Sequence, residues 1–129
     1  MSLKIINKFD DSTTRSLTSV DSGSLNFIDT TSADITINLP PAQAGLFFEF
    51  VVSNSSTNAY KFIIKSVNAS YVHTALMYVG QLSNTISKTI TIDSSLITNL
   101  SDRIIVNCDG TNWFVTITAG NTDSYTLTS

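Results

Sequence analysis

Asp34-Ile35-Thr36-Ile37-Asn38-Leu39 alternates polar and apolar residues at every step, the period of a strand with one buried and one wet face. The same period recurs on both sides of it. Thr85-Ile86-Ser87-Lys88-Thr89-Ile90-Thr91-Ile92 alternates almost as cleanly, with Lys88 the one intruder on the apolar side. Trp113, Val115 and Ile117 share one parity, while Phe114, Thr116 and Thr118 share the other. Leu46-Phe47-Phe48-Glu49-Phe50-Val51-Val52 is apolar on both parities, which predicts a central strand or one whose second face meets another sheet or subunit. Phe62-Ile63-Ile64 and Arg103-Ile104-Ile105-Val106 read similarly.

Turn signals fall between these runs. Pro40-Pro41-Ala42-Gln43-Ala44-Gly45 breaks the chain sharply, because proline removes ladder donors. Asn54-Ser55-Ser56-Thr57-Asn58 reads as a polar loop, and Ser94–Leu100 as a place for one short helical turn. Asp109-Gly110, set between two apolar runs, predicts a type I′ hairpin with Trp113 anchoring the returning strand. The expected fold is therefore all-β: an antiparallel β-sandwich, jelly-roll-like or a related meander, of about eight strands. Its predicted limits are an N-terminal arm over 1–14, a sandwich domain over 15–118 and a C-terminal tail over 119–129.

Composition narrows the function. The chain has 129 residues, enough for one domain. Only 13% of them are charged, against roughly 25% in ordinary soluble proteins. Ser, Thr and Asn fill the gap. Hydroxyls and amides desolvate more cheaply than charges, which suits close contact with neighbours. A net charge of −3 with scattered Lys and Arg argues against nucleic acid. No apolar run approaches the ~20 residues of a membrane span, and Met1–Phe9 has no signal-peptide core. Cys108 is the single cysteine, so there is no internal disulfide and no Cys-rich metal site; its parity with Ile104 and Val106 predicts a small buried hydrophobe.

Catalytic signals are weak. His73 is the one histidine, and no Gly-x-Ser-x-Gly elbow accompanies it. Most aspartates stand in turn contexts, where their carboxylates close Asx turns. Glu49, the single glutamate, sits inside the most apolar strand. It must pair with Lys61, Lys65 or Arg103, or face solvent at an edge. Asp10-Asp11-Ser12 lacks the spaced ligands of a calcium loop. Asn54, Asn68 and Asn99 open glycosylation-type triplets that arise by chance in so polar a chain. Tyr60, Tyr71, Tyr78 and Tyr125 lie near strand ends, where rings cover core rims or stack on sugars. The expectation is a protein that is not an enzyme and uses no cofactor or metal.

Two segments carry a resemblance. The step from Ile35-Thr36-Ile37-Asn38-Leu39-Pro40-Pro41 through Gly45 into Leu46-Phe47-Phe48-Glu49-Phe50 resembles small β-sandwich structural modules of tailed phages and other viruses. Arg103–Val115, with Asp109-Gly110-Thr111-Asn112-Trp113, resembles the closing hairpin of the same modules; the similarity runs from about Asp34 to Ile117. Val67–Asn84 has no counterpart there, and Cys108 replaces a more usual small polar residue. The resemblance implies a virion structural protein, either a head decoration or a tail-appendage module. Chain length and the Met-Ser start favour capsid decoration over a fibre with shaft and tip. The expected partners are copies of the chain, a trimer first, and a major capsid or other virion protein. A receptor- or carbohydrate-binding tip is the alternative, and a cellular lectin-like domain a third. Candidate interface residues are Leu3, Ile5, Ile6, Phe47, Glu49 and Val51; Asp109, Gly110 and Trp113 form the candidate structural hairpin.

Overall fold

The computed structural model describes residues 5–9, 13–31, 33–54, 60–66, 72–78, 81–87, 89–93, 103–119 and 125–128. Twelve strands form among them: β1 (Ile5–Phe9), β2 (Thr13–Ser16), β3 (Ser24–Asp29), β4 (Ile35–Asn38), β5 (Phe47–Asn54), β6 (Lys61–Lys65), β7 (Val72–Tyr78), β8 (Gln81–Ser87), β9 (Thr89–Asp93), β10 (Arg103–Cys108), β11 (Trp113–Ala119) and β12 (Tyr125–Thr128). Seven of them make a larger sheet in the order β1-β3-β5-β10-β11-β7-β8. The other five make a smaller one, β12-β9-β6-β4-β2. The all-β sandwich implied by the alternation is present, and short edge strands such as β1, β2 and β12 join the strands legible as apolar runs.

The pairing pattern is not antiparallel throughout. The first six strands change sheet at every step. As a result β1, β3 and β5 lie parallel in the larger sheet, and β2, β4 and β6 lie parallel in the smaller. This half is wound like three turns of a flattened solenoid, each turn giving one strand to each sheet. The second half returns antiparallel: β9 on β6, β10 on β5, β11 on β10, β8 on β7 and β12 on β9. One further parallel pair, β11 with β7, sets the hairpin β7–β8 at the far edge. Period-two alternation reports which face is buried and says nothing about strand direction, so a meander and a solenoid read alike.

Position 88 lies outside the described residues, but its flanks carry a lesson. The run Thr85–Ile92 looks continuous in sequence, yet β8 belongs to the larger sheet and β9 to the smaller. Ser87 and Thr89 thus belong to different sheets. The segments expected as terminal arms are likewise built in: β1 and β2 pair with β3 and β4, and β12 pairs with β9. The sandwich therefore extends beyond the expected limits of 15 and 118 at both ends. The expected short turn over Ser94–Leu100 falls outside the described residues.

One core lies between the sheets. The larger sheet supplies Ile28, Phe48, Phe50, Val52, Ile104, Val106, Trp113, Val115 and Ile117, and the smaller supplies Ile35, Ile37, Phe62, Ile64 and Ile90. Phe50 and Phe62 meet across the layers with ring centroids 5.5 Å apart, in the tilted geometry that aromatic quadrupoles favour. Trp113 is fully buried with its ring centroid 6.1 Å from that of Phe48. Its indole N–H has no hydrogen-bond partner among the described residues. Cys108 is buried in this core, as its parity required.

Candidate functional site on the outer face of the larger sheet

The strand β3 sets the character of this face. Ser24-Leu25-Asn26-Phe27-Ile28-Asp29 carries apolar residues on one parity at Leu25 and Phe27, and binary patterning alone would turn these two inward. The structure does the reverse. Ser24 and Asn26 are fully buried toward the core with Ile28, while Leu25 and Phe27 lie half-buried on the outside. The inversion is tolerated because the buried amide is satisfied: Asn26 Nδ2 donates to the Glu49 carbonyl oxygen at 3.0 Å and to Ser24 Oγ at 3.0 Å. It leaves an aromatic and a leucine facing away from the core.

Strand register then lays out the face in three rows. Phe47, Asn107 and Phe114 form the first; Leu25, Glu49, Ile105 and Thr116 the second; Phe27, Val51, Arg103 and Thr118 the third. Val51 and Glu49 are only 6% and 8% exposed although both point away from the core. Phe47 and Ile105 are half-buried around them, and Phe114 is 43% exposed. The candidate residues Phe47, Glu49 and Val51 are thus brought together on one surface. Ile5 and Ile6 lie in β1, in register with Ser24 and Leu25. Leu3 lies outside the described residues.

The partner of Glu49 follows from the sheets. Lys61 and Lys65 are exposed in β6 of the smaller sheet, on the far side of the sandwich. Arg103 stands on β10, directly beside β5, two positions along from the residue opposite Glu49. Its Nη1 donates to Glu49 Oε1 at 2.8 Å. The carboxylate is mostly shielded and the guanidinium about half exposed, so the pair neutralises the middle of the face. Asp29, at the end of β3, accepts the Thr31 backbone N–H at 2.9 Å.

The expected hairpin is present with a different turn. Cys108 pairs with Trp113, so residues 109–112 form a four-residue loop rather than the two-residue type I′ connection. Asp109 Oδ1 accepts the backbone N–H groups of Thr111 and Asn112, each at 2.9 Å, and the Asp109 N–H donates to the Asn112 carbonyl at 3.2 Å. The carboxylate's ability to close its own turn outcompetes the shorter geometry. Gly110, at φ 106°, takes the left-handed position. A Cβ there would come within 3.5 Å of the Ala44 Cβ, so the loop sits against the Pro40–Gly45 turn. Gly45 N–H donates to the Cys108 carbonyl, and Cys108 N–H to the Leu46 carbonyl, both at 3.0 Å. The two segments that carried the resemblance therefore meet at one end of the sandwich.

His73 lies in β7, in register with Phe114 of β11. Among the described residues no three of His, Cys, Asp or Glu are grouped so as to hold a metal, and no helix is long and apolar enough to cross a membrane. Asp21 closes a capping box with Thr18, and Asp34 accepts the Lys61 backbone N–H at 2.7 Å, so these acids, like Asp29 and Asp109, shape the backbone. Neither a family model, nor a curated protein, nor a solved structure matches this chain.

Proposed function

We propose that this chain is a virion structural protein, a capsid decoration subunit that works by surface contact and carries no active site. The observation behind this reading is the outer face of the larger sheet, where Leu25, Phe27, Phe47, Val51 and Ile105 surround an ion pair that is already neutralised. Partly exposed apolar side chains gathered on one face, with Phe114 exposed at its border, are what supports a contact role. The acids whose contacts are described hold turns or pair with arginine, which leaves them committed to structure. The phage-module resemblance of the Leu39–Phe50 and Arg103–Val115 segments supplies the virion setting, with a major capsid or other virion protein as partner and a homotrimer as the working assembly.

Quantitative mass spectrometry of purified particles tests this. A decoration subunit is present in a copy number comparable with that of the capsid lattice. A copy number of a few per particle moves the chain to a tail appendage, and a positive glycan array would then make it a carbohydrate-binding tip. Absence from particles removes the virion reading altogether.

A further inference from the structure

We infer that the Asp109–Gly110 peptide is a latent site of spontaneous isoaspartate formation, and that the folded loop guards it by holding both reacting groups on other partners. This goes beyond the contact reading and does not rest on it, because the chemistry uses only the chain and water.

The sequence singles this junction out. It is the one place in the chain where an aspartate or asparagine precedes glycine. The reaction joins the backbone nitrogen of the following residue to the side-chain carboxyl carbon, so a residue without Cβ offers the least hindrance and the widest range of backbone angles. In the first step the Gly110 nitrogen gives up its proton and bonds to Asp109 Cγ, while one carboxyl oxygen leaves as water. The product is a five-membered succinimide. Water then adds back at one of its two carbonyl carbons. Addition at Cγ restores aspartate. Addition at the main-chain carbonyl carbon of Asp109 leaves a backbone that runs through Cβ and Cγ. The water released equals the water taken up, so the product is an isomer of equal mass.

The fold supplies the guard. Asp109, Gly110 and Thr111 are exposed, so burial does not withhold the reaction. Hydrogen bonding does. Asp109 Oδ1 accepts the backbone N–H groups of Thr111 and Asn112, each at 2.9 Å, which commits the carboxyl to the two residues beyond Gly110. The Gly110 N–H is engaged as well, donating to the buried Cys108 Sγ at 3.4 Å. Ring closure requires the carboxyl to be released and the peptide between residues 109 and 110 to turn, and both movements break these bonds. The loop has little freedom to do so. Cys108 is paired with Trp113 and bonded to Gly45 and Leu46, and Gly110 lies against Ala44. The same contacts make the isomer a poor fit. An added backbone carbon lengthens the 109–112 loop and moves the carboxylate to a different carbon, away from the geometry that closes the turn.

The test is peptide mapping, with fragmentation that separates isoaspartate from aspartate, on the full-length chain kept near neutral pH at body temperature. One sample is folded and the other is held in concentrated urea. The unfolded chain should accumulate isoaspartate faster at Asp109 than at any other aspartate, and Gly110→Ala in urea should remove that lead. The folded chain should form it at least about tenfold more slowly, because the loop must open before the ring can close. Amide hydrogen exchange of the folded chain should show Thr111 and Asn112 protected. Equal rates in the folded and unfolded chain overturn the inference. So does another aspartate that leads in urea, or exchange at Thr111 and Asn112 as fast as in an unstructured peptide.

Discussion

β3 and β4 follow one another in the chain, lie in opposite sheets and each bury every second residue starting from their first, yet they turn opposite chemistries toward the outside. In β4, Ile35 and Ile37 enter the core while Thr36 and Asn38 face out. In β3, Ser24 and Asn26 enter the core while Leu25 and Phe27 face out. The sheets repeat the difference. Around Thr36 the smaller sheet sets Ile63 and Thr91, with exposed Lys65 one row away. Around Leu25 the larger sheet sets Glu49 and Ile105, with nearly buried Val51 one row away. A shared core thus serves two unlike exteriors: the larger sheet sets half-buried Leu25, Phe27, Phe47 and Ile105 among exposed Arg103, Asn107, Thr116 and Thr118, while the smaller sets Ile63 among Thr36, Thr91 and Lys65.

The widest separation between the faces should come from placing a charge at the centre of each. Val51→Asp puts a carboxylate into a shielded apolar site next to Glu49, and should cost about 3 kcal/mol or more. Ile63→Asp, the matching change between Thr36 and Thr91, should cost about 1 kcal/mol, because the group can stay hydrated. Urea titration of both variants measures the difference. Equal midpoints would mean that the two exteriors are energetically alike.

A second pair asks what holds the inverted strand. Asn26→Ala removes the amide that bonds the Glu49 carbonyl and Ser24, and should destabilise the domain by about 2 kcal/mol. Thr36→Ala, on the outside of β4, should stay within about 0.5 kcal/mol of the native chain. Thermal melts at matched protein concentration report both; a tolerant Asn26 would show that β3 keeps its facing for some other reason.

The smallest effect concerns the ion pair. Arg103→Met leaves Glu49 without its partner while keeping the apolar stem, and should cost about 1 kcal/mol, held down by the exposure of the guanidinium. Lys65→Met should be silent to within about 0.5 kcal/mol. Adding Glu49→Leu to Arg103→Met should recover most of the loss, since replacing both members of such a pair by apolar groups is close to neutral. A double variant no better than the single one would mean that the pair contributes more than neutrality.

Removal of residues 1–11 would take away β1 and uncover the edge of β3, so truncation perturbs the domain as well as any contact made by its N-terminal segment. The sequence offered no sign of this. Ile5 and Ile6 stand in a short run with few apolar neighbours, and their place in the sheet comes from β3, some twenty residues away. Glu49 was legible in part: an acid inside an apolar strand must be paired, and three cations were within reason. Deciding among them required knowing that β10 lies beside β5 while β6 lies in the other sheet. Asn26 was not legible at all, because an asparagine between Leu25 and Phe27 looks like the wet side of an ordinary strand.

What the amino-acid order determined alone was local: strand positions, the buried parity of β4, β10 and β11, the turn at Asp109-Gly110, and burial of Cys108 and Trp113. Each depends on side-chain period or on the conformational preference of one or two residues, and both act over a few positions. What tertiary structure decided was which strands are neighbours, whether they run parallel, and which face of β3 meets the core. Those choices compare the burial of whole faces against one another, and a strand with usable chemistry on both parities can settle either way until its neighbours are in place. Asn26 is tolerated on the inside of β3 because the carbonyl of Glu49 and the hydroxyl of Ser24 receive its amide, and Ile28 is buried on the same parity.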